Sequence, residues 1–212
     1  MQKYIEDIKN TRDRALWGYD LNLVAVVSIS TLVLVLDRYH PIGVIFPLSS
    51  VIYYLFIPLA AGSVIFRDKP WDYGIRAGLW KLGLIAIAVG LPTMALVLYG
   101  AGKMAEFQSY YHRDAIDWPE LLLAIGLHMF AWEFLFRGYM LFGLEKSIGK
   151  NAIFVQAIPF VLLHLGKPFL ETLACIPGGF VFGYVAYRTR SFLPCFVIHF
   201  GMYMMMAFFT SS

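Results

Sequence analysis

The sequence predicts an all-α polytopic membrane protein, a transmembrane helical bundle of about seven spans (six to eight), on three observations. Hydrophobic residues make up 59% of the 212-residue chain and charged residues only 15%, where a soluble domain carries roughly 25% charged. Mean hydropathy is +0.66. Apolar runs alternate with short charged stretches from end to end, and a helix needs ~20 apolar residues to cross a bilayer. No loop is long enough to hold a second unit, so residues 1–212 are read as a single membrane-embedded domain.

The apolar segments fall at about 21–36, 44–66, 79–99, 119–143, 151–166, 170–188 and 192–210. The first, fifth and sixth are short or interrupted. The fifth and sixth carry His164, Lys167 and Pro177, which predicts a kink or a re-entrant turn there. Pro41, Pro47, Pro58, Pro92 and Pro159 lie within spans or at their ends and are read as kinks, tolerated where neighbouring groups satisfy the freed carbonyl. Residues 1–20 are polar, and no small-residue cleavage site follows the first run, which is therefore read as a first span or signal anchor. Tyr4, Ile5, Ile8, Leu16 and Trp17 among lysines and arginines fit either an interfacial helix or a solvated tail.

Charge orients the bundle. Lys3, Lys9, Arg12, Arg14, Arg67, Lys69, Arg76, Lys81, Lys146, Lys150, Arg188 and Arg190 fall in the tail and in alternate loops; the other loops hold only Arg38, Lys103, Arg113 and Lys167. The positive-inside rule then predicts a cytoplasmic N-terminus and an external C-terminus. The net charge of +3 is too small to argue for nucleic acid, so the expected partners are membrane lipids and a peptide or protein substrate. Cys175 and Cys195 sit in apolar context without metal-ligand spacing and are read as small buried hydrophobes; no cofactor is predicted. The Met202, Met204, Met205 and Met206 cluster is read as packing or lipid-facing surface.

Four ionisable residues stand out by their depth. Glu133 and Arg137 lie mid-segment at i, i+4, share one helix face and can pair. A charge at that depth costs a few kcal/mol even on the lenient insertion scale, so each needs a partner or a polar cavity. His164 ends the fifth segment and His199 lies inside the seventh. A carboxylate with two histidines in a partly dry cavity is a hydrolytic set: burial makes Glu a useful base, and histidine can share its proton or steady an oxyanion. Structural alternatives stay open, namely an ion pair locking helices and satisfied interior histidines. Zinc on Glu, His and His is a third reading, although no His-Glu-x-x-His spacing occurs. His128, five residues before Glu133, is read as structural. His40 and His112 are placed in loops, and Glu106, Asp114, Asp117 and Glu120 are read as solvated loop charges.

Three blocks carry a family resemblance: Trp132-Glu133-Phe134-Leu135-Phe136-Arg137, then Phe160-Val161-Leu162-Leu163-His164, then His199-Phe200-Gly201-Met202-Tyr203, with a glycine-rich span and an Arg-Thr-x-Ser turn over 178–193. They resemble the CAAX protease and bacteriocin-processing family, whose pattern is Glu-Glu-x-x-x-Arg, Phe-x-x-x-His and His-x-x-x-Asn/Asp. The resemblance covers about 119–210. It implies a metal-independent intramembrane endopeptidase acting on a membrane-associated protein or peptide, with or without an attached lipid. The small size of the chain, with this family resemblance of its second half, makes a bacterial inner membrane the expected location. Carried over, Glu133 and His164 activate water, Arg137 positions the glutamate and His199 helps form the oxyanion hole. Trp132 stands where the family has its first glutamate, and Tyr203 where it has Asn or Asp; the Tyr203 hydroxyl can still donate to an oxyanion. Either Glu133 takes the base role, or the chain is an inactive relative that binds or shields a peptide, as an immunity protein would. A transporter lined by the same charges is a further alternative, without the internal symmetry that transporters commonly carry.

Overall fold

The computed structural model describes residues 18–42 and 47–211. The tail reading of residues 1–20 falls almost wholly outside them. The described residues form helices and no strands, and six helical stretches are long and apolar enough to cross a membrane. This is an integral membrane helical bundle. Helix α1 is Leu21–Tyr39, α2 Leu48–Phe66 and α3 Trp80–Ala101. Short α4 is Ala105–Tyr111. Then come α5 (118–148), α6 (152–162), α7 (Phe169–Thr189) and α8 (Leu193–Ser211).

Start and stop chemistry explains the boundaries. Asp20 caps α1, accepting from the backbone N–H of Asn22 and Leu23, and Asp117 caps α5 through Glu120 N–H. Helical turns follow one another from Trp118 to Leu162, and the main change of direction falls at Gly149–Asn151, where Gly149 takes φ +58°. The 45 residues of that stretch would span ~68 Å as one rod, over twice a bilayer core. The chain turns back at Gly149, and α6 climbs only part-way before Gly166 (φ +93°) reverses it into α7. The short, interrupted fifth segment is thus a half-depth helix, and Lys167 belongs to a turn.

Close approach depends on small residues, as in many membrane bundles. Helix α3 lies along α8, where a Cβ on Gly83 would come within 2.8 Å of Pro194, and one on Gly201 within 2.6 Å of Leu91. Helix α7 lies along α6 in the same way: Gly179 faces Ala157 and Gly183 faces Gln156. The predicted glycine-rich span is this packing face. Pro92 and Pro177 sit inside α3 and α7 without ending them.

The two ends of the bundle differ. At one, Lys146 pairs with Asp68, Arg190 with Glu145, and Arg76 donates to the Arg190 carbonyl, so 67–79, 145–150 and 188–191 form one basic cap. Beneath it, residues 133–144 of α5 are buried without interruption, and Phe134, Leu135, Phe136, Tyr139, Leu141 and Phe192 fill the main core. Towards the other end the core thins to Leu121, Ile125, Met129 and Ala207. There α4 and the 163–168 turn are tied together: Glu106 accepts from Phe169 N–H, and Tyr111 donates to Glu171. Glu106 and Asp117 are exposed, as their reading as solvated charges expects, and each also accepts from a backbone N–H.

Candidate active site

The site starts from a local irregularity in α5. Its first 16 residues are α-helical, and residues Phe134–Met140 widen into a π-helical stretch before α-helix resumes at Leu141. Such turns shift side chains off the regular register and are frequent at functional positions. Glu133 is the last residue before the widening, and Arg137 lies inside it.

Both are fully buried. Arg137 Nη1 donates to Glu133 Oε1 at 3.0 Å. The guanidinium carbon lies 3.9 Å from the Phe160 ring centroid and 5.2 Å from that of Phe182. Desolvated cation–π contacts of this kind are worth ~2 kcal/mol. They take the place of further hydrogen bonds, because Arg137 Nε and Nη2 have no hydrogen-bond partner among the described residues. Glu133 Oε2 has none either.

A second contact falls on the same carboxylate oxygen. His199 Nδ1 lies 2.6 Å from Glu133 Oε1, bringing α8 onto α5 across 66 residues of sequence. That oxygen already takes the Arg137 N–H, and as the acceptor of both contacts it leaves the hydrogen on His199 Nδ1. Nε2 is left as the ring's acceptor. The His199 side chain is 13% exposed, while its glutamate is sealed.

His164 is set by its own helix. Its Nδ1 lies 2.7 Å from the Phe160 carbonyl, which can only accept, so here too Nε2 is the free acceptor. The two imidazoles stack with centroids 6.5 Å apart and planes 24° from parallel, both against Phe160. Trp132 packs against His164, its ring 5.9 Å away and near perpendicular. Trp132 also meets Tyr54, His128, Phe136 and Phe160, and its indole N–H has no hydrogen-bond partner among the described residues.

On the side of the Glu133–His199 pair away from the basic cap, a cavity of about 360 Å³ is lined by Tyr110, Tyr111, His112, Arg113, Ile125, His128, Met129, Lys167 and Tyr203. Met129 precedes Glu133 by one turn, and Tyr203 follows His199 by one turn, so the cavity ends ~6 Å along the helices from the Glu133–His199 pair. Tyr203 is in this wall: its hydroxyl accepts from Arg113 Nη2 at 3.1 Å, away from the carboxylate. Lys167 donates to Glu171 at 2.8 Å and to the Tyr111 hydroxyl. Burial first, then the Glu171 charge, push the Tyr111 phenol well above its ordinary range.

The structure thus brings together Glu133, Arg137, His199 and, across the ring stack, His164; Tyr203 stands apart at the cavity. Sequence reasoning passed over His128, which lines the cavity and bonds Ser50 Oγ at 2.7 Å. The signal was available: His128 precedes Trp132 by four residues and so shares its face, whereas it was measured against Glu133. No group of three His, Cys, Asp or Glu side chains among the described residues is arranged to hold a metal ion.

Residues 114–205 match the family model described as type II CAAX prenyl endopeptidase, Rce1-like. That stretch of the chain is similar to the CAAX prenyl endopeptidase family. The matched stretch runs from the loop before α5 into α8 and contains all five candidate residues. No curated protein and no solved structure matches the chain. Within the matched stretch, α5 to α8 supply the site, and α1 to α3 lie outside it; the Trp132 ring rests on Tyr54 of α2.

Proposed function

We propose that the chain is an intramembrane endopeptidase in which acid–base work has passed from a carboxylate to a histidine. The observation that carries this reading is the 2.6 Å contact between Glu133 and His199. A buried carboxylate on Nδ1–H holds imidazole in one tautomer and stabilises the imidazolium that forms, leaving Nε2 as the base. Water between His199 and His164 gives one proton to His199 Nε2 as its oxygen bonds the scissile carbonyl carbon. The tetrahedral intermediate then collapses: the C–N bond breaks, His199 returns the proton to the leaving nitrogen, and a carboxylic acid and an amine result. His164 Nε2 holds the water, and Arg137 holds Glu133 in place. The spare indole N–H of Trp132 is a donor for the oxyanion; Tyr203 reaches it only by releasing Arg113. The substrate is a membrane-associated protein or peptide, with or without an attached lipid. The setting is a bacterial inner membrane with the N-terminus in the cytoplasm.

The test is cleavage of a prenylated CAAX-type peptide by the reconstituted protein, with products identified by mass spectrometry. His199→Ala and Glu133→Gln are expected to lose roughly 10²-fold or more while remaining folded. Cleavage by His199→Ala at the wild-type rate overturns the reading.

A second reading is favoured by Trp132. Its indole packs against His164 from the position where the family pattern has its first glutamate, and Glu133 is sealed from solvent. A chain so built would bind a peptide without cutting it. Wild-type protein that retains the peptide uncleaved, with retention lost in Tyr203→Ala, would decide for this reading.

A further inference from the structure

The cavity lies at only one end of the bundle. Its rim is made by the α3–α5 connection, through Tyr110, Tyr111 and Arg113, by the α6–α7 turn, through Lys167, and by Tyr203 of α8. Its inner limit, at His128 and Met129, is one turn from the Glu133–His199 pair. In the opposite direction the route is shut: residues 133–144 of α5 are buried in a row against Phe192 and Tyr73. Among the described residues, access to the pair is therefore one-sided.

Charge gives that side an address. Among the described residues, the closed end carries Arg67, Lys69, Arg76, Lys81, Lys146, Lys150, Arg188 and Arg190, against Arg38, Lys103, Arg113 and Lys167 at the open end. The ion pairs of the basic cap and the Tyr111–Glu171 tie confirm that these loops cluster at opposite ends in space. Short loops of this kind follow the positive-inside rule, which puts the closed end in the cytoplasm.

We infer that the site is served from the outer face of the membrane, so that its partner is a peptide segment exposed on that face and not a cytoplasmic C-terminus. The rim suits such a partner: tyrosine hydroxyls and two cationic side chains face a polar backbone better than an apolar chain. The inference about the partner rests on the peptide-handling reading above, but the side of access does not.

The experiment separates the two. Asp114→Cys marks the open end, and Lys150→Cys the closed end; both positions are exposed. Intact cells are treated with a membrane-impermeant maleimide, with the unaltered chain as background for the native Cys175 and buried Cys195. Asp114→Cys is expected to label in intact cells, and Lys150→Cys only after permeabilisation. The reverse pattern, or labelling of both in intact cells, overturns the inference. An end-blocked synthetic peptide without a CAAX terminus, supplied outside, is then expected to slow labelling of a Tyr110→Cys variant in the cavity wall. With the labelling pattern as expected and no such protection, outside access stands and the peptide partner falls.

Discussion

Glu133 and Arg137 are the clearest place to test how the site is held. Both are fully buried, 3.0 Å apart, with the guanidinium pressed on Phe160. At an effective dielectric near 20, their attraction is ~5 kcal/mol, most of it offset by the cost of removing two charges from water. Removing one partner leaves the other uncompensated, at a cost of ~3–5 kcal/mol. The two halves are unequal. Arginine stays charged, whereas a lone buried glutamate can take up a proton. Glu133→Gln should therefore destabilise more than Arg137→Met, and the double variant should cost ~2–4 kcal/mol less than the sum, because no charge is stranded. For a chain of this length each kcal/mol is roughly 2–4 °C in Tm. The assay is thermal unfolding in detergent, followed by tryptophan fluorescence. An additive double variant, or a Glu133→Gln loss below ~1 kcal/mol, would show that the pair is not what holds this part of α5.

Trp132→Glu should place a carboxylate beside His164 and raise peptide cleavage, while lowering Tm, since Trp to a smaller buried side chain costs ~3–5 kcal/mol; a folded variant with no gain in cleavage rules out a missing base as the limit. Gly78→Ala meets a φ of +56° and would set a Cβ 2.0 Å from the Thr189 carbonyl, so its Tm should drop by more than the left-handed penalty of ~1–2 kcal/mol alone requires; Gly178→Ala, with open space around it, is the control and should be neutral or stabilising. The raised Tyr111 phenol has a pH signature: its contribution is complete below the unfolded value near ~10 and is lost as pH rises beyond it. Unfolding scans across about pH 9–11 should show that loss in the wild type and a shallower one in Tyr111→Phe; parallel slopes would refute it.

The spans were legible because twenty apolar residues have few other readings, and the misplaced edges have physical causes. Segment four was ended at residue 143, yet the helix continues through Glu145 and Lys146, whose charges are neutralised by Arg190 and Asp68 at the interface. Segment five was drawn to 166, but hydropathy does not register the reversal at Gly166. The Glu133–Arg137 pairing followed from spacing alone. That His199, and not His164, takes the glutamate could not, since it depends on how α8 lies against α5. Asp37 was hidden in the same way: it ends the first apolar run in sequence, but in the fold it accepts from Ser49 and Tyr54, and the Tyr54 ring rests on Trp132.

Stability alone gives no reason for this polar set. A buried ion pair replaced by well-packed apolar residues is often neutral or stabilising, and α5 already buries Phe134, Leu135, Phe136, Leu141 and Leu144 around it. A bundle needing only cohesion would do as well with leucine at 133 and methionine at 137. The arrangement instead leaves Glu133 Oε2, two arginine nitrogens and the Trp132 indole N–H without hydrogen-bond partners among the described residues, beside two imidazoles with free Nε2 atoms. Unspent polar groups are costly in a dry interior, and here they gather one turn from a cavity. The Glu133→Gln/Arg137→Met double variant therefore bears on function as well: if it folds as well as the wild type and no longer cleaves or retains peptide, the pair is there for the site and not for the bundle.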